Sequence, residues 1–134
     1  MSFTLTLDDD AKLIRVDVEG LLNNDLRKDI LSEVSTTLII TKYEKVLIDL
    51  LQTDFDLNEP MTKSLQLVKF LNEVGITKQI KLAFLYSGFE SYRKHFEKIA
   101  QSLGQSIRYF KSRDDALFWL LHSEESFDSA TQIW

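Results

Sequence analysis

The chain of 134 residues contains no cysteine, which at once excludes a disulfide framework, a thiolate metal site and a cysteine nucleophile. It also lacks a long apolar run. The strongest stretches are broken by Asp49 or Lys81, short of the roughly 20 residues that a membrane-spanning helix requires. The amino-terminal MSFTLTLDDD has no basic segment followed by an apolar core, so it does not read as a signal peptide, and a cytoplasmic location is expected. Repeats, linkers and low-complexity tracts are missing as well. The two histidines, His95 and His122, have no partner at ligand spacing, and His122 at a helix end has a sufficient account in the helix dipole. No clustered acid, base or nucleophile can be assembled, so no metal, no cofactor and no catalysis are expected.

What is present is 44% apolar residues, enough for one globular domain that removes roughly two-thirds of its unfolded surface from water. That domain is expected over positions 1–122, with a carboxyl-terminal tail over 123–134. The net charge of -5 hides an asymmetry. Positions 76–113 hold Lys78, Lys81, Arg93, Lys94, Lys98, Arg108, Lys111 and Arg113 against only Glu90 and Glu97, while both flanking segments are acidic. A positive sector can meet an anionic ligand or the acidic sector of a second copy, although ordinary solvated faces account for it more simply.

The hydrophobic pattern reads as a hairpin followed by alternating helices and strands. Phe3, Leu5 and Leu7 alternate with threonines, and after a turn at Asp8 to Ala11 the residues Ile14, Val16 and Val18 share one face. From Asn24 or Asp25 as a cap, Leu26, Ile30, Val34 and Leu38 form the stripe of a helix that ends near Lys42. The run Val46, Leu47, Ile48, Leu50 and Leu51 leaves only Asp49 polar, as in a central strand covered on both faces. Asn58 can cap a second helix with Pro60 in its first turn, with Met61, Leu65, Val68 and Leu71 facing inward and Gly75 as the stop. A strand over positions 80–86 follows. Ser87 to Glu90 then fit a capping box for a helix carrying Phe89, Tyr92, Phe96, Ile99 and Leu103, terminated by Gly104. The last strand spans positions 107–110, and Ser112 with Asp115 opens a short helix that packs Ala116, Leu117, Trp119 and Leu120 inward. Such alternation specifies a parallel sheet with helical crossovers.

The order of elements and the segment VLIDLLQTDFDLNEPM resemble the STAS domains. The chain is most similar to the bacterial SpoIIAA-like, or STAS/SEC14 domain-containing, proteins, whose tail reads as an aromatic strand and a helix ending in Trp-Leu, here YFKSRDDALFWLL. The similarity spans positions 3–122. It implies an α/β fold of SpoIIAA-like type, with a mostly parallel five-stranded sheet, an N-terminal antiparallel hairpin and four helices in the order β-β-α-β-α-β-α-β-α. It also implies a non-catalytic regulatory or protein-interaction module, or, from the SEC14 side of the family, a domain that binds a small apolar ligand or lipid. In the anti-sigma antagonists of this family the Asp-Phe pair continues into Asp-Ser-Ser-Gly, and a partner kinase phosphorylates the serine. Here Asp54 and Phe55 are followed by Asp56, Leu57, Asn58, Glu59 and Pro60, so no hydroxyl stands in the phosphoacceptor register.

Open α/β sheets place ligand sites beyond the carboxyl ends of their strands, which makes Asp54, Phe55, Asp56, Asn58, Glu59 and Met61, joined by Ser87 and Phe89, the candidate partner or ligand surface. Asp54 and Asp56 could serve as an acid/base pair or hold a hard cation, but two carboxylates on one loop are as well explained by solvation and by the positive end of the next helix. Ser87 and Ser91 could hold an anion at a helix start, with capping the competing role of Ser87. An apolar pocket lined by Phe55, Met61, Phe84 and Phe89 would favour a ligand-binding domain, and a solid core an interaction module. No large insertion is present to form a lid over a deep lipid cavity. The tail offers Phe127, Ile133 and Trp134 as apolar anchors, from which a homodimer is expected with the tail packed on its own or the neighbouring protomer. The expected partner is a protein rather than a nucleic acid.

Overall fold

In a computed structural model, which describes residues 2–55, 63–77, 79–86 and 90–122, the first two elements are an antiparallel hairpin. Strand β1 (Ser2–Asp8) pairs with β2 (Leu13–Leu22) in unbroken register from Ser2 opposite Glu19 to Asp8 opposite Leu13. The turn closes with Lys12 in the left-handed region (φ 54) and with the Ala11 amide donating to the Asp8 carboxylate. Tyr43 donates its hydroxyl proton to Asp9 from the far end of the first helix, and chiefly this hydrogen bond, with burial of the group and the nearby acidic charge of Asp9 and Asp8, raises its pKa above the usual phenol value.

Helix α1 (Asn24–Thr41) carries the four-residue stripe, and Leu26, Ile30, Val34 and Leu38 are all buried. Its cap is Asn23, not Asn24 or Asp25: the Asn23 side chain, on an extended backbone, accepts the Leu26 amide at 2.9 Å. Three cap-competent residues stand in a row, and the one whose backbone is still extended takes the role. The helix ends at Lys42, which adopts φ 65 and bonds back to the Leu38 carbonyl at 2.8 Å. Strand β3 (Lys45–Phe55) follows, then α2 (Lys63–Glu73), β4 (Lys81–Leu85), α3 (Glu90–Ser102) and β5 (Ser106–Phe110). A fourth helix, α4, occupies positions 113–122. Glycine is required just after α2 and α3, where Gly75 and Gly104 take φ 88 and φ 84 and let the next residues, Ile76 and Gln105, reach back to Leu71 and Ala100. Ser112 caps α4 through the Asp115 amide at 3.1 Å.

The sheet order is β1-β2-β3-β4-β5, antiparallel between β1 and β2 and parallel thereafter. Helices α1, α2 and α3 cover one face, over a core that includes Ile14, Val16, Val46, Ile48, Leu82 and Ile107. Helix α4 covers the other, setting Ala116 and Leu120 on Leu13, Leu47, Ala83 and Leu85. Strand β3 is thus buried on both sides over Val46, Leu47 and Ile48, which explains its nearly unbroken apolar run. Leu103, placed inward by the α3 stripe, is 43% exposed, because Gly104 turns the chain away before that position meets the core.

Candidate functional site

The strand that carries the candidate surface is longer than its sequence suggests. Asp54 and Phe55 do not lie in a loop beyond β3. They are its last two residues, paired with Leu21 and Leu22 of β2. The extension exists because β2 also runs on through Gly20, Leu21 and Leu22 and offers a partner for every residue up to Phe55. Strand β4 contributes nothing there, since its pairing with β3 ends at Asp49 opposite Leu85. Among the described residues, the carboxyl-terminal half of β3 therefore projects past β4 with β2 as its one neighbour.

The two halves are joined by a β-bulge. Between Asp17 opposite Asp49 and Glu19 opposite Gln52, β3 advances one residue more than β2. Leu50 stays in the core with Val46 and Ile48 at 6% exposure, while Leu51 is 38% exposed and is not part of the buried run. Backbone groups at the kink are taken by side chains: the Leu51 amide donates to Asp49 at 2.9 Å, and the Thr53 hydroxyl donates to the Leu50 carbonyl at 2.6 Å. The second Asp49 oxygen accepts Arg113 at 2.6 Å, and the same guanidinium stands 4.0 Å from Asp17. Asp17 and Asp49 are register partners on adjacent strands, and two carboxylates side by side need a cation between them. Arg113, the first residue of α4, supplies it from the end of β5.

Arg113, Asp49 and Asp17 are the residues that the sequence reading did not bring together. One signal was available, since a lone aspartate in a buried strand requires a partner. The identity of that partner, 64 positions away, depends on the sheet order and could not be read from spacing. Beside Asp17 an open groove of about 160 Å³ is lined by Thr4, Asp17, Val18, Glu19 and Gln52.

Of the sequence-predicted surface, Asp54 is exposed at the tip of β3 and Phe55 closes the strand with its side chain outside the description. Asp56, Asn58, Glu59, Met61, Ser87 and Phe89 lie outside the described residues, as do Phe127, Ile133 and Trp134. His95 belongs to α3 and Ser91 follows its first residue, with both side chains outside the description; the His122 ring lies 5.0 Å from that of Phe118 on α4. Among the described residues no group of three His, Asp or Glu side chains is arranged to hold a metal ion, and no helix is long and apolar enough to cross a membrane.

On the opposite face, between the sheet and the three helices, an apolar cavity of about 30 Å³ is lined by Ile30, Leu31, Ile48, Phe84, Phe96 and neighbouring core residues. Phe84 lies among its walls, stacked on Tyr109 at 4.9 Å between centroids and edge-on to Phe96. A space of that size holds about one water molecule.

No protein-family model and no curated protein sequence matches the chain. Solved structures do. An anti-sigma factor antagonist from Mycobacterium paratuberculosis aligns with TM-score 0.55 at 16% identity, covering 89% of this chain and 94% of its own. An uncharacterized protein with a SpoIIAA-like fold from Shewanella loihica aligns with TM-score 0.54 at 19% identity, over 89% and 92%. The Bacillus cell fate determinant SpoIIAA in its phosphorylated form aligns with TM-score 0.51 at 14% identity, over 87% and 96%. The chain has the SpoIIAA-like fold, with the five-stranded mixed sheet and four helices that the sequence pattern specifies.

Proposed function

We propose that this chain is a non-catalytic protein-interaction module whose partner meets the carboxyl-terminal edge of the sheet, at the tip of β3 and the segment 56–62 that follows. The observation that carries this reading is the projection of β3 beyond β4, which holds the exposed Asp54 on a paired strand and not on a free loop. A recognition group on a strand is presented at little cost in ordering on binding. Two proteins of the same fold are named as an anti-sigma factor antagonist and a cell fate determinant, names that fit partner binding. Phosphorylation at the usual STAS serine position is not part of the proposal, because Asp56 to Pro60 offer no hydroxyl.

The competing reading, a small apolar ligand or lipid held between sheet and helices, is disfavoured by a cavity of about 30 Å³ where a ligand pocket has roughly 300 Å³ or more. The full chain and its Asp54→Lys variant, each purified from the protein's own cells and weighed by native mass spectrometry, separate the two. A protein partner retained by the wild type and depleted about tenfold or more by Asp54→Lys is expected. A small apolar molecule retained by both, with no protein partner, overturns the interaction reading.

A further inference from the structure

The sheet has two outer strands, and they are guarded differently. Strand β5 is short, five residues, and carries Arg108 with Lys111 just after it. The Phe110 carbonyl accepts the Tyr86 amide, so the even-numbered residues of β5 face β4 and Ile107 and Tyr109 turn their backbone groups outward. Side chains of α3 meet those groups: Glu97 accepts the Tyr109 amide at 2.5 Å, and Gln101 donates to the Ile107 carbonyl at 3.5 Å. A short, charged and covered edge is how sheets avoid further pairing.

Strand β1 has none of these devices. Its seven residues, SFTLTLD, include no proline, no basic residue and no bulge. Which of its backbone groups face outward follows from the ladder. The Lys81 amide bonds the Glu44 carbonyl, so even positions of β3 serve β4 and odd positions serve β2. In turn, even positions of β2 serve β3 and odd positions serve β1, and the antiparallel register gives Ser2, Thr4, Thr6 and Asp8 to β2. The amides and carbonyls of Phe3, Leu5 and Leu7 point away from the sheet, and no hydrogen bond among the described residues takes them.

We infer that β1 pairs antiparallel with β1 of a second copy, on a two-fold axis through Leu5. In that register Leu5 faces its own mate and Phe3 faces Leu7 of the other copy. All three outward-facing residues then meet as hydrogen-bonded pairs, about six main-chain bonds in all. The side chains match as well. Leu7 is 42% exposed on the face where Phe3 and Leu5 pack on the core, and the second copy's Phe3 covers it. On the opposite face Thr4 lies across from Thr6, a favourable cross-strand pair, and both are exposed in the single chain. No charge lies on the strand before Asp8, so nothing repels at the axis, and Asp8 meets the uncharged Ser2.

The size of the contact sets its strength. Seven residues span about 24 Å, and a strip about 10 Å deep covers roughly 500 Å² over both copies in projection, under the about 1,000 Å² of a permanent interface. Pairing through β1 is therefore concentration-dependent, with a ten-stranded sheet formed at high concentration and single chains at low. The contact is distinct from any made by the tail.

Sedimentation equilibrium of the full chain between about 10 μM and about 1 mM tests this, the range in which a contact of this size registers. Wild type is expected to shift from monomer to dimer. Thr4→Lys combined with Thr6→Lys places like charges across the axis on exposed positions and should weaken association about tenfold or more, whereas Thr4→Lys combined with Thr6→Glu places opposite charges there and should restore it. Leu7→Pro removes one outward amide while leaving the ladder to β2 intact, and should also weaken it. A chain ending at Ser123 is expected to dimerise as wild type does. A monomer at every concentration, equal association of the two charge variants, or loss of the dimer on tail removal overturns the inference.

Discussion

The two halves of β3 are one strand by hydrogen bonding and two different objects by environment. From Lys45 to Asp49 the strand has a neighbour on each side and a helical layer on each face, and Val46, Leu47 and Ile48 are at most 1% exposed. From Leu50 to Phe55 it has, among the described residues, β2 alone, and Leu51, Gln52 and Asp54 are open to solvent. A bulge lies between them, where the pairing with β4 ends. The extra residue shifts the register of β3 against β2 beyond Asp49, and the apolar first half is buried while the second half, with Gln52 and Asp54, is displayed. A strand that is both core and recognition surface has a rigid base under its functional tip.

The difference can be broken from the buried side first. Ile48→Ala removes a side chain that is 1% exposed and enlarges a cavity that already exists beside it, and the expected loss is about 3 to 5 kcal/mol in urea or thermal unfolding. A smaller effect is expected at the junction. Asp49→Ala leaves the Leu51 amide without its 2.9 Å acceptor and releases Arg113, for a loss of about 1 to 2 kcal/mol. Arg113→Ala should cost less, because this side chain is 37% exposed and water screens its pairing. A double-mutant cycle isolates the ion pair, whose coupling should stay under about 1 kcal/mol. A coupling well above that would make Arg113 a structural pin and not a counter-charge.

The buried half was legible and the projecting half was not, for a physical reason. Burial on two faces writes itself into composition, so Val46 to Ile48 announce a central strand. The three-helix layer is likewise written in the spacing of Leu26, Ile30, Val34 and Leu38, and the stops at Gly75 and Gly104 in the need for a positive φ. Asp54 and Phe55 look like a loop because their pairing depends on β2 running on through Gly20, and glycine with φ 98 in a strand carries no local strand signal. The Asp49 to Arg113 bond was out of reach for another reason: each residue has ordinary neighbours in the chain, and only the folded sheet order brings the start of α4 over β3. Local physics marks the elements, and the site arises from how they are stacked.

The smallest predicted effect gives the sharpest reading of where burial stops along β3, because it compares neighbours of the same type. Leu50 and Leu51 are chemically identical and adjacent, so a sequence-only account assigns them equal weight in an apolar run. Leu50 continues the inward face of Val46 and Ile48 and is 6% exposed, whereas Leu51 is 38% exposed. Leu50→Ala should therefore cost about 2 to 3 kcal/mol, while Leu51→Ala should change stability by about 0.5 kcal/mol or less. Chemical denaturation of the two variants under the same conditions measures the contrast directly. Equal losses would mean that both leucines are buried, and the outer half of β3 would then be covered at Leu51 and not open to solvent.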